Sequence, residues 1–133
     1  MLFDYGENMK EIESVGNPTI KLIKSLKMAK YRKETGLYIV EGERLVNEAL
    51  NYDTPAYIVY SKAYGGRRIN DDNAILTSAG VFESLCDTKS PQGILAVMRM
   101  KKEPLDNIKG NTLVVLEGVQ NPLNVGPIIR TAD

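Results

Sequence analysis

The chain has no histidine and a single cysteine, Cys86, among its 133 residues. One cysteine cannot form an internal disulfide, and without histidine neither a typical zinc site nor a serine–histidine or cysteine–histidine catalytic pair can be assembled. No apolar run approaches the roughly 18 residues that a membrane-spanning helix needs, and the N-terminal segment lacks the basic-then-apolar order of a signal peptide. We therefore expect a cytoplasmic protein with no metal site and no membrane contact.

The overall composition is that of one ordinary folded domain, or of one domain plus a fragment. Hydrophobic residues make up 43% of the chain, and 17 Lys and Arg balance 17 Asp and Glu. A balanced, moderately apolar composition is typical of a globular protein rather than of a disordered tail.

Positive charge is concentrated in one segment of this neutral chain. Residues 18–33 contain no acidic residue and six cations: Lys21, Lys24, Lys27, Lys30, Arg32 and Lys33. Association with a polyanion depends on where the cations lie rather than on their sum. Lysines three residues apart share one helix face, so a solvated face explains the pattern equally well from charge alone.

Helix and strand signals alternate from Asn17 onwards, where Asn17 and Pro18 indicate a helix start. The predicted elements are a helix that ends before Gly36, a strand at 37–40, a helix between 41 and 53, strands at 56–60 and 74–76, a helix capped by Ser78, and a strand at 94–98. This order predicts parallel strand pairing through crossovers in an α/β fold.

Composition predicts four segments along the chain. Residues 1–16 have weak periodicity and are predicted to be a flexible lead-in, followed by an α/β domain at 17–103. Residues 104–111 are predicted to be a linker, because the polar stretch around them is longer than the usual connection between two elements of a compact domain. The apolar run at 112–116 predicts a strand covered on both faces, which opens a second α/β domain at 112–133. That segment is too short to bury a core, so we expect a truncated chain or a longer natural one.

A loop rich in Asn, Pro and Gly follows this last predicted strand. Such a loop at the carboxyl end of a strand, leading into a helix, is where open α/β domains place ligands. Pro127 is predicted at the first helical position, and Arg130 nearby could hold phosphate or stabilise an oxyanion. The alternative is a structural loop in which Arg130 pairs with Glu117 or Asp133, and the residues alone leave both open.

The run Asn-Pro-Leu-Asn-Val-Gly-Pro-Ile-Ile-Arg-Thr-Ala at 121–132 resembles a known motif. It meets every fixed position of N-P-x-N-x-G-x-I-x-R-T-A, the first motif of the SpoU, or TrmH-like, branch of the SPOUT RNA 2′-O-ribose methyltransferases. Residues 30–42 and 90–97 are similar to the two signature stretches of that family's N-terminal substrate-binding domain. Three matches in the right order are far more specific than any one of them.

The resemblance implies a three-layer α/β/α RNA-binding domain resembling ribosomal kink-turn-binding proteins, followed by the first strand and helix start of a knotted SPOUT methyltransferase domain that forms a homodimer. It implies S-adenosylmethionine as cofactor, held by later motifs that this chain does not contain. By position in the motif, Arg130 corresponds to the arginine that activates the ribose 2′-hydroxyl and Asn124 to the asparagine that supports the active site. Asn121, Gly126 and Glu117 are expected to support the motif.

The same context gives the basic segment a function, because a domain that delivers a large RNA meets its backbone with Lys and Arg. The RNA is expected to be ribosomal in preference to transfer RNA, and the chain is expected to bind it while remaining catalytically incomplete. The alternative is a stand-alone kink-turn-type RNA-binding protein without enzymatic activity. The predicted RNA-binding residues are Lys27, Lys30, Arg32, Lys33, Arg67, Arg68 and Gln92.

Overall fold

The computed structural model describes residues 9–69 and 71–133, so that Asn70 and residues 1–8 of the predicted lead-in lie outside it. The chain divides into two compact units after Lys101. The first unit contains strands β1 (Lys10–Glu11), β2 (Leu37–Glu41), β3 (Tyr57–Ser61), β4 (Ala74–Thr77) and β5 (Ile94–Arg99), and helices α1 (Pro18–Ser25), α2 (Ala29–Thr35), α3 (Glu43–Tyr52) and α4 (Ala79–Leu85).

The five strands form one mixed sheet in the order β1-β4-β3-β5-β2. Strand β4 is parallel to both of its neighbours, whereas β5 is antiparallel to β3 and to β2. The predicted parallel pairing through crossovers is therefore only partly right. Strands β2 and β3 do point the same way on either side of α3, but β5 is inserted between them and takes both sets of hydrogen bonds.

Side chains from both faces of the sheet are buried, which confirms the three-layer α/β/α arrangement. Along β3, Val59 packs with residues of α1 and α4, while Ile58 and Tyr60 pack with Val46 of α3 on the other face. Because successive strand residues point to opposite faces, a strand covered on both sides must be apolar throughout. The continuous apolar runs of β3 and β5 satisfy this requirement.

The first strand shows that ordered structure begins before Asn17, so the predicted loosely packed lead-in is wrong for residues 10–12. Lys10 and Glu11 pair in parallel with β4, and the Ile12 N–H donates to the Leu76 carbonyl at 2.9 Å. Ile12 itself is 5% exposed. A two-residue strand at a sheet edge has too few residues to show periodicity, which is why the sequence gives no signal for it.

The single helix predicted before Gly36 is two helices in the structure. The predicted start is right, because Asn17 Oδ1 accepts a hydrogen bond from the Thr19 N–H at 2.8 Å. However, α1 ends at Ser25 and the chain turns through Leu26 and Lys27 before α2 begins at Ala29. The break lets Leu26 bury in the core at 2% exposure, while α2 turns to run along β2.

The second unit consists of a 3-10 turn at Leu105–Asn107 and helix α5 at Pro122–Ala132. The strand predicted at 112–116 is wrong, because these residues pair with no other strand in the described part of the chain. A strand needs hydrogen-bonding partners, and the described residues offer none to this run. Its apolar side chains are accordingly exposed, with Val115 at 83%.

Helix α5 also begins earlier than the sequence predicts. Asn121 is the N-cap, with its side-chain oxygen accepting from the Leu123 N–H at 3.0 Å, and Pro122 rather than Pro127 occupies the first helical position. Pro127 lies inside the helix, where it has no N–H to donate to the preceding turn. Pro122 and Pro127 both fit the first position of a helix. The helix begins at Pro122, because the residue directly before it, Asn121, provides the N-cap.

Candidate RNA-binding surface and catalytic motif

The basic segment divides into side chains that turn inward and side chains that stay in solvent. Lys27 turns inward: its Nζ donates to the Cys86 carbonyl at 2.7 Å and lies 3.5 Å from Asp87 Oδ1. A cation at this place stabilises the carboxyl end of α4, because the last carbonyls of a helix carry partial negative charge. Lys27 therefore has a structural partner, although the sequence predicts it as an RNA contact.

Arg32, on helix α2, also turns inward, towards the turn between α1 and α2. Its Nη1 donates to the carbonyls of Leu26 at 2.9 Å and Lys27 at 2.7 Å. These carbonyls lie where α1 ends, so the guanidinium closes the turn between α1 and α2. The sequence predicts Arg32 as an RNA contact, whereas in the structure its guanidinium bonds to the backbone of the turn between α1 and α2.

Lys30 and Lys33 remain available on the surface of α2. The Lys30 side chain is 69% exposed, and its Nζ lies 4.0 Å from Glu34 Oε1 and 5.5 Å from the centre of the Tyr31 ring. Lys33 is exposed as well, and Lys21 and Lys24 are exposed on α1. Such long, solvated cations can meet phosphates without losing a partner inside the protein.

The two arginines in the loop after β3 also differ in whether the side chain stays in solvent or bonds to the protein. Arg67 is exposed. Arg68 is half-buried, and its Nη2 donates to the Lys62 carbonyl at 3.0 Å and to the carbonyls of Ser61 and Tyr64 at 3.4 Å. Arg68 thus closes the loop on itself, and Arg67 is the member of the pair that is exposed to solvent.

Gln92 holds the beginning of α3. Its Oε1 accepts a hydrogen bond from the Glu43 N–H at 2.8 Å, which satisfies a donor in the first turn of the helix. The sequence predicts Gln92 as a contact to a base edge, and this bond commits one of its two polar atoms. The residue before Glu43, Gly42, adopts a φ of 91°, a conformation that favours glycine.

The loop that carries Arg67 and Arg68 and the turn that carries Gln92 meet at one end of the sheet. Glu41 at the end of β2 pairs with Leu95 at the start of β5, and Tyr60 near the end of β3 pairs with Ile94. The loops after β2 and β3 and the turn before β5 therefore lie together, at what we call the loop end. A cavity of about 260 Å³ extends from it to the turn between α1 and α2, and its polar lining consists of Lys27, Arg32, Tyr38, Glu41 and Asp87.

Glu41 and Tyr64 belong to the loop end, although the sequence did not single them out. The Glu41 carboxylate accepts from the Asp87 N–H at 3.2 Å and from the Thr88 hydroxyl at 3.4 Å, which ties the chain after α4 to β2. A signal for Glu41 does exist, because it lies in the stretch at 30–42 that resembles the family signature. For Tyr64 the only signal in the sequence is the pair of glycines that follows it.

Cys86 is buried and lies beside Glu41. Burial raises the pKa of the Cys86 thiol to about 12, and a hydrogen bond to the Glu41 carboxylate adds to the rise. We expect a disulfide reagent to react at pH 8 at least about tenfold more slowly with the folded chain than with the chain in urea, because the thiolate is the reactive form. Equal rates, measured by release of the coloured thiol product, would contradict this burial.

The catalytic motif lies on α5 in the second unit. Asn124 and Arg130 are both exposed and lie six residues apart, which on an α-helix is about 9 Å along the axis and about 120° around it. The helix therefore does not bring them together. Glu117 is exposed before the helix, Asn121 is its N-cap, and Gly126 lies within it.

The residues of this unit do not enclose a cofactor site. From 102 to 133 every residue is exposed except Val125 and Ile128, which are half-buried. A small-molecule site is normally concave and covers most of its ligand's surface. The motif residues present here do not fit S-adenosylmethionine without further chain around them.

A metal-binding cluster and a membrane-spanning helix are both absent from the residues that the structure describes. No group of three or more cysteine, aspartate or glutamate side chains within 9–69 and 71–133 could hold a metal ion. Every described helix is too short or too polar to cross a membrane.

Comparison with known proteins identifies relatives for both units. Residues 17–96 match the MRM3-like substrate binding domain family. Over 130 residues, or 94% of the chain, the sequence is 35% identical to the Bacillus subtilis (strain 168) protein named 23S rRNA (guanosine(2553)-2′-O)-methyltransferase RlmP, of which it covers 51%.

Solved structures agree with this assignment. An RNA methyltransferase of the TrmH family from Porphyromonas gingivalis superposes with a TM-score of 0.69 at 30% identity, over 90% of this chain and 49% of that one. An rRNA methyltransferase from Sinorhizobium meliloti, solved with AdoMet bound, gives a TM-score of 0.62 at 26% identity, over 75% of this chain and 40% of that one.

The chain spans about half the length of the curated relatives it matches. The matched family covers more than half of the chain and coincides with the three-layer unit that holds the loop end. The chain belongs to the family of the MRM3-like substrate-binding domain and is homologous to the TrmH/SpoU RNA 2′-O-methyltransferases.

Proposed function

We propose that this chain supplies the RNA-binding domain and the first catalytic motif of an S-adenosylmethionine-dependent 2′-O-ribose methyltransferase that acts on ribosomal RNA. The observation that carries the proposal is that one chain joins a substrate-binding domain at 17–96 to a complete first motif at 121–132. Its similarity to a named 23S rRNA methyltransferase extends over both parts.

In this proposal the RNA backbone is met by the exposed cations of the loop end and of α2. Lys30, Lys33 and Arg67 are solvated, and Lys30 makes a distant ion pair with Glu34 and a contact with the Tyr31 ring. Phosphate contacts fix register and orientation without reading sequence, which suits a domain that delivers an RNA to a separate catalytic unit. Lys27, Arg32, Arg68 and Gln92 support this surface from beneath through the bonds described above.

Arg130 contributes charge rather than base catalysis in the proposed reaction. A guanidinium presents five N–H donors and no acceptor, so it is poorly suited to take the proton of a ribose hydroxyl. It can instead bind phosphate or stabilise the developing negative charge on the 2′-oxygen through its fixed set of donors. Asn124 is proposed to support the active site from the first turn of α5.

The remaining parts of the proposal concern the longer protein. S-adenosylmethionine, when bound, supplies the methyl group, and residues other than those of this chain are proposed to complete its site. The proposed assembly is a cytoplasmic homodimer formed through the catalytic domain. The 133 residues alone are proposed to bind RNA without transferring methyl groups.

The proposal is tested by a methyl-transfer assay on extracted small and large ribosomal RNA, with labelled S-adenosylmethionine as donor. We expect RNA binding without transfer for the 133 residues, and transfer for a longer product read from the same gene. Arg130→Ala in that longer product should abolish most of the transfer while RNA binding persists, and Lys109→Ala, also exposed, should change neither.

Two results would overturn the proposal. A longer product that binds RNA but transfers no methyl group, or a reading frame that contains nothing beyond these residues, would favour the stand-alone RNA-binding protein. Transfer that survives Arg130→Ala unchanged would remove the role assigned to the first motif.

A further inference from the structure

The loop after β3 passes directly over a tyrosine ring. A Cβ atom added at Gly66 would overlap the hydroxyl oxygen and Cζ of Tyr64. Tyr64 is 8% exposed, so the ring has little room to move away. The backbone can approach the ring this closely only because position 66 is glycine.

The same tyrosine contacts the turn that precedes β5. A Cβ atom added at Gly93 would lie 3.1 Å from Cβ and 3.3 Å from Cα of Tyr64. The Ser61 N–H donates to the Gly93 carbonyl at 2.8 Å, so the two segments are also joined by a backbone hydrogen bond. Tyr64 thus lies between two glycines that belong to different loops.

The beginning of α3 forms the third side of this contact. Burial, together with a hydrogen bond to Glu43, raises the pKa of Tyr64 to about 12, so the phenol keeps its proton. The Glu43 N–H in turn donates to Gln92 in the turn before β5. All three segments of the loop end are therefore linked around one side chain.

Arg67 lies in the loop after β3, which the packing of Tyr64 holds against the turn before β5. The preceding residues are two consecutive glycines, which would otherwise leave the loop with many accessible conformations. The Tyr64 N–H donates to the Ser61 carbonyl at 3.0 Å, and the Ile69 N–H donates to the Tyr60 hydroxyl at 2.9 Å, so both ends of the loop are fixed. Arg67 remains exposed between them.

We propose that Tyr64 is a positioning residue for RNA binding: packed between Gly66 and Gly93, it holds the loop so that Arg67 meets an RNA phosphate in one conformation. The inference rests on the proposed function, because it assumes that the loop end contacts RNA. A contact group that is held in its bound conformation loses less entropy on binding, which raises affinity without adding a contact.

Two adjacent glycines provide a matched test in the 133-residue chain. Neither Gly65 nor Gly66 has a positive φ, and a Cβ atom at Gly65 would meet nothing within 4 Å. Gly66→Ala should displace the Tyr64 ring and weaken binding of ribosomal RNA by about three- to tenfold, the size of one lost phosphate contact. Gly65→Ala should change the affinity less than about twofold, as expected for a substitution that meets open space.

A double-mutant cycle separates positioning from a loss of stability. If Tyr64 acts through Arg67, then Arg67→Ala should cost little further affinity in the Gly66→Ala chain. Lys33→Ala should cost the same in both backgrounds, because Lys33 lies on α2 and not on this loop. Should Gly66→Ala fail to fold, Tyr64→Phe keeps the ring, removes the hydroxyl that contacts Glu43, and takes its place in the cycle.

The outcomes distinguish this inference from the proposed function. Salt-dependent RNA binding with additive losses for Gly66→Ala and Arg67→Ala would overturn the positioning role alone. A wild-type chain that shows no salt-dependent binding to ribosomal RNA would overturn the proposed function and the inference with it.

Discussion

Replacing Arg32 by alanine is expected to lower the melting temperature of the chain by about 10 °C. Its guanidinium donates to the Leu26 and Lys27 carbonyls, and hydrogen bonds to a charged group contribute about 1.5–3 kcal/mol. For a domain of this size each kcal/mol shifts the melting temperature by roughly 4–8 °C. The same substitution should leave the slope of RNA affinity against salt unchanged, because Arg32 is proposed to contact the protein and not phosphate.

The next residue in the chain provides the control. Lys33 is exposed, so Lys33→Ala should leave the melting temperature within about 1 °C of wild type, as surface substitutions usually do. It should reduce RNA affinity instead. Thermal unfolding followed by circular dichroism and RNA titrations at several salt concentrations measure both effects. A wild-type melting temperature for Arg32→Ala, with a reduced salt slope, would restore the phosphate contact that the sequence predicts.

The local signals of this sequence predicted much of the fold. Asn17 and Ser78 cap α1 and α4 as expected, since a capping side chain bonds to a backbone group only two or three residues away. The apolar runs that became β2, β3, β4 and β5 were each placed to within one residue. Elements whose stability is decided within a few neighbouring residues are visible in the sequence.

Elements that depend on distant partners could not be predicted in the same way. The insertion of β5 between β2 and β3 is decided by pairing across the sheet, and the two residues of β1 are ordered only because β4 offers a free edge. The run at 112–116 shows the converse. It has the composition of a buried strand, but the described residues provide no neighbour for it to pair with.

The residues of the candidate site show the same difference between local signals and distant partners. The sequence predicts six cations as RNA contacts, but charge alone does not tell which of them has a partner inside the protein. Lys27 bonds to a carbonyl 59 residues away, and Gln92 bonds to an N–H 49 residues away. Arg32 and Arg68 bond to nearby carbonyls, yet only because the chain turns after α1 and after β3. Side chains with such partners are fixed, and the exposed ones are those that we propose to meet RNA.

Removing Lys30, Lys33 and Arg67 together is expected to have the largest effect on RNA binding. Each lost phosphate contact reduces the slope of log affinity against log salt by about 0.7–0.9, so the triple alanine variant should lower that slope by about 2. At low salt the affinity should fall by about 30- to 1,000-fold, which is the three- to tenfold loss of one contact taken three times. The fold should persist, because all three side chains are exposed.

A second triple variant separates a specific surface from net charge. Lys10→Ala, Arg99→Ala and Lys101→Ala also remove three exposed cations from the first unit; Arg99 ends β5 at the opposite end of the sheet from the loop end, and Lys101 follows two residues later. If RNA were attracted only by total charge, the two variants would weaken binding equally and with equal slopes. A surface that meets phosphates at defined positions predicts a large change for the first variant and a small one for the second. Equal losses would therefore reject the loop end and α2 as the RNA-binding surface, while leaving RNA binding itself in place.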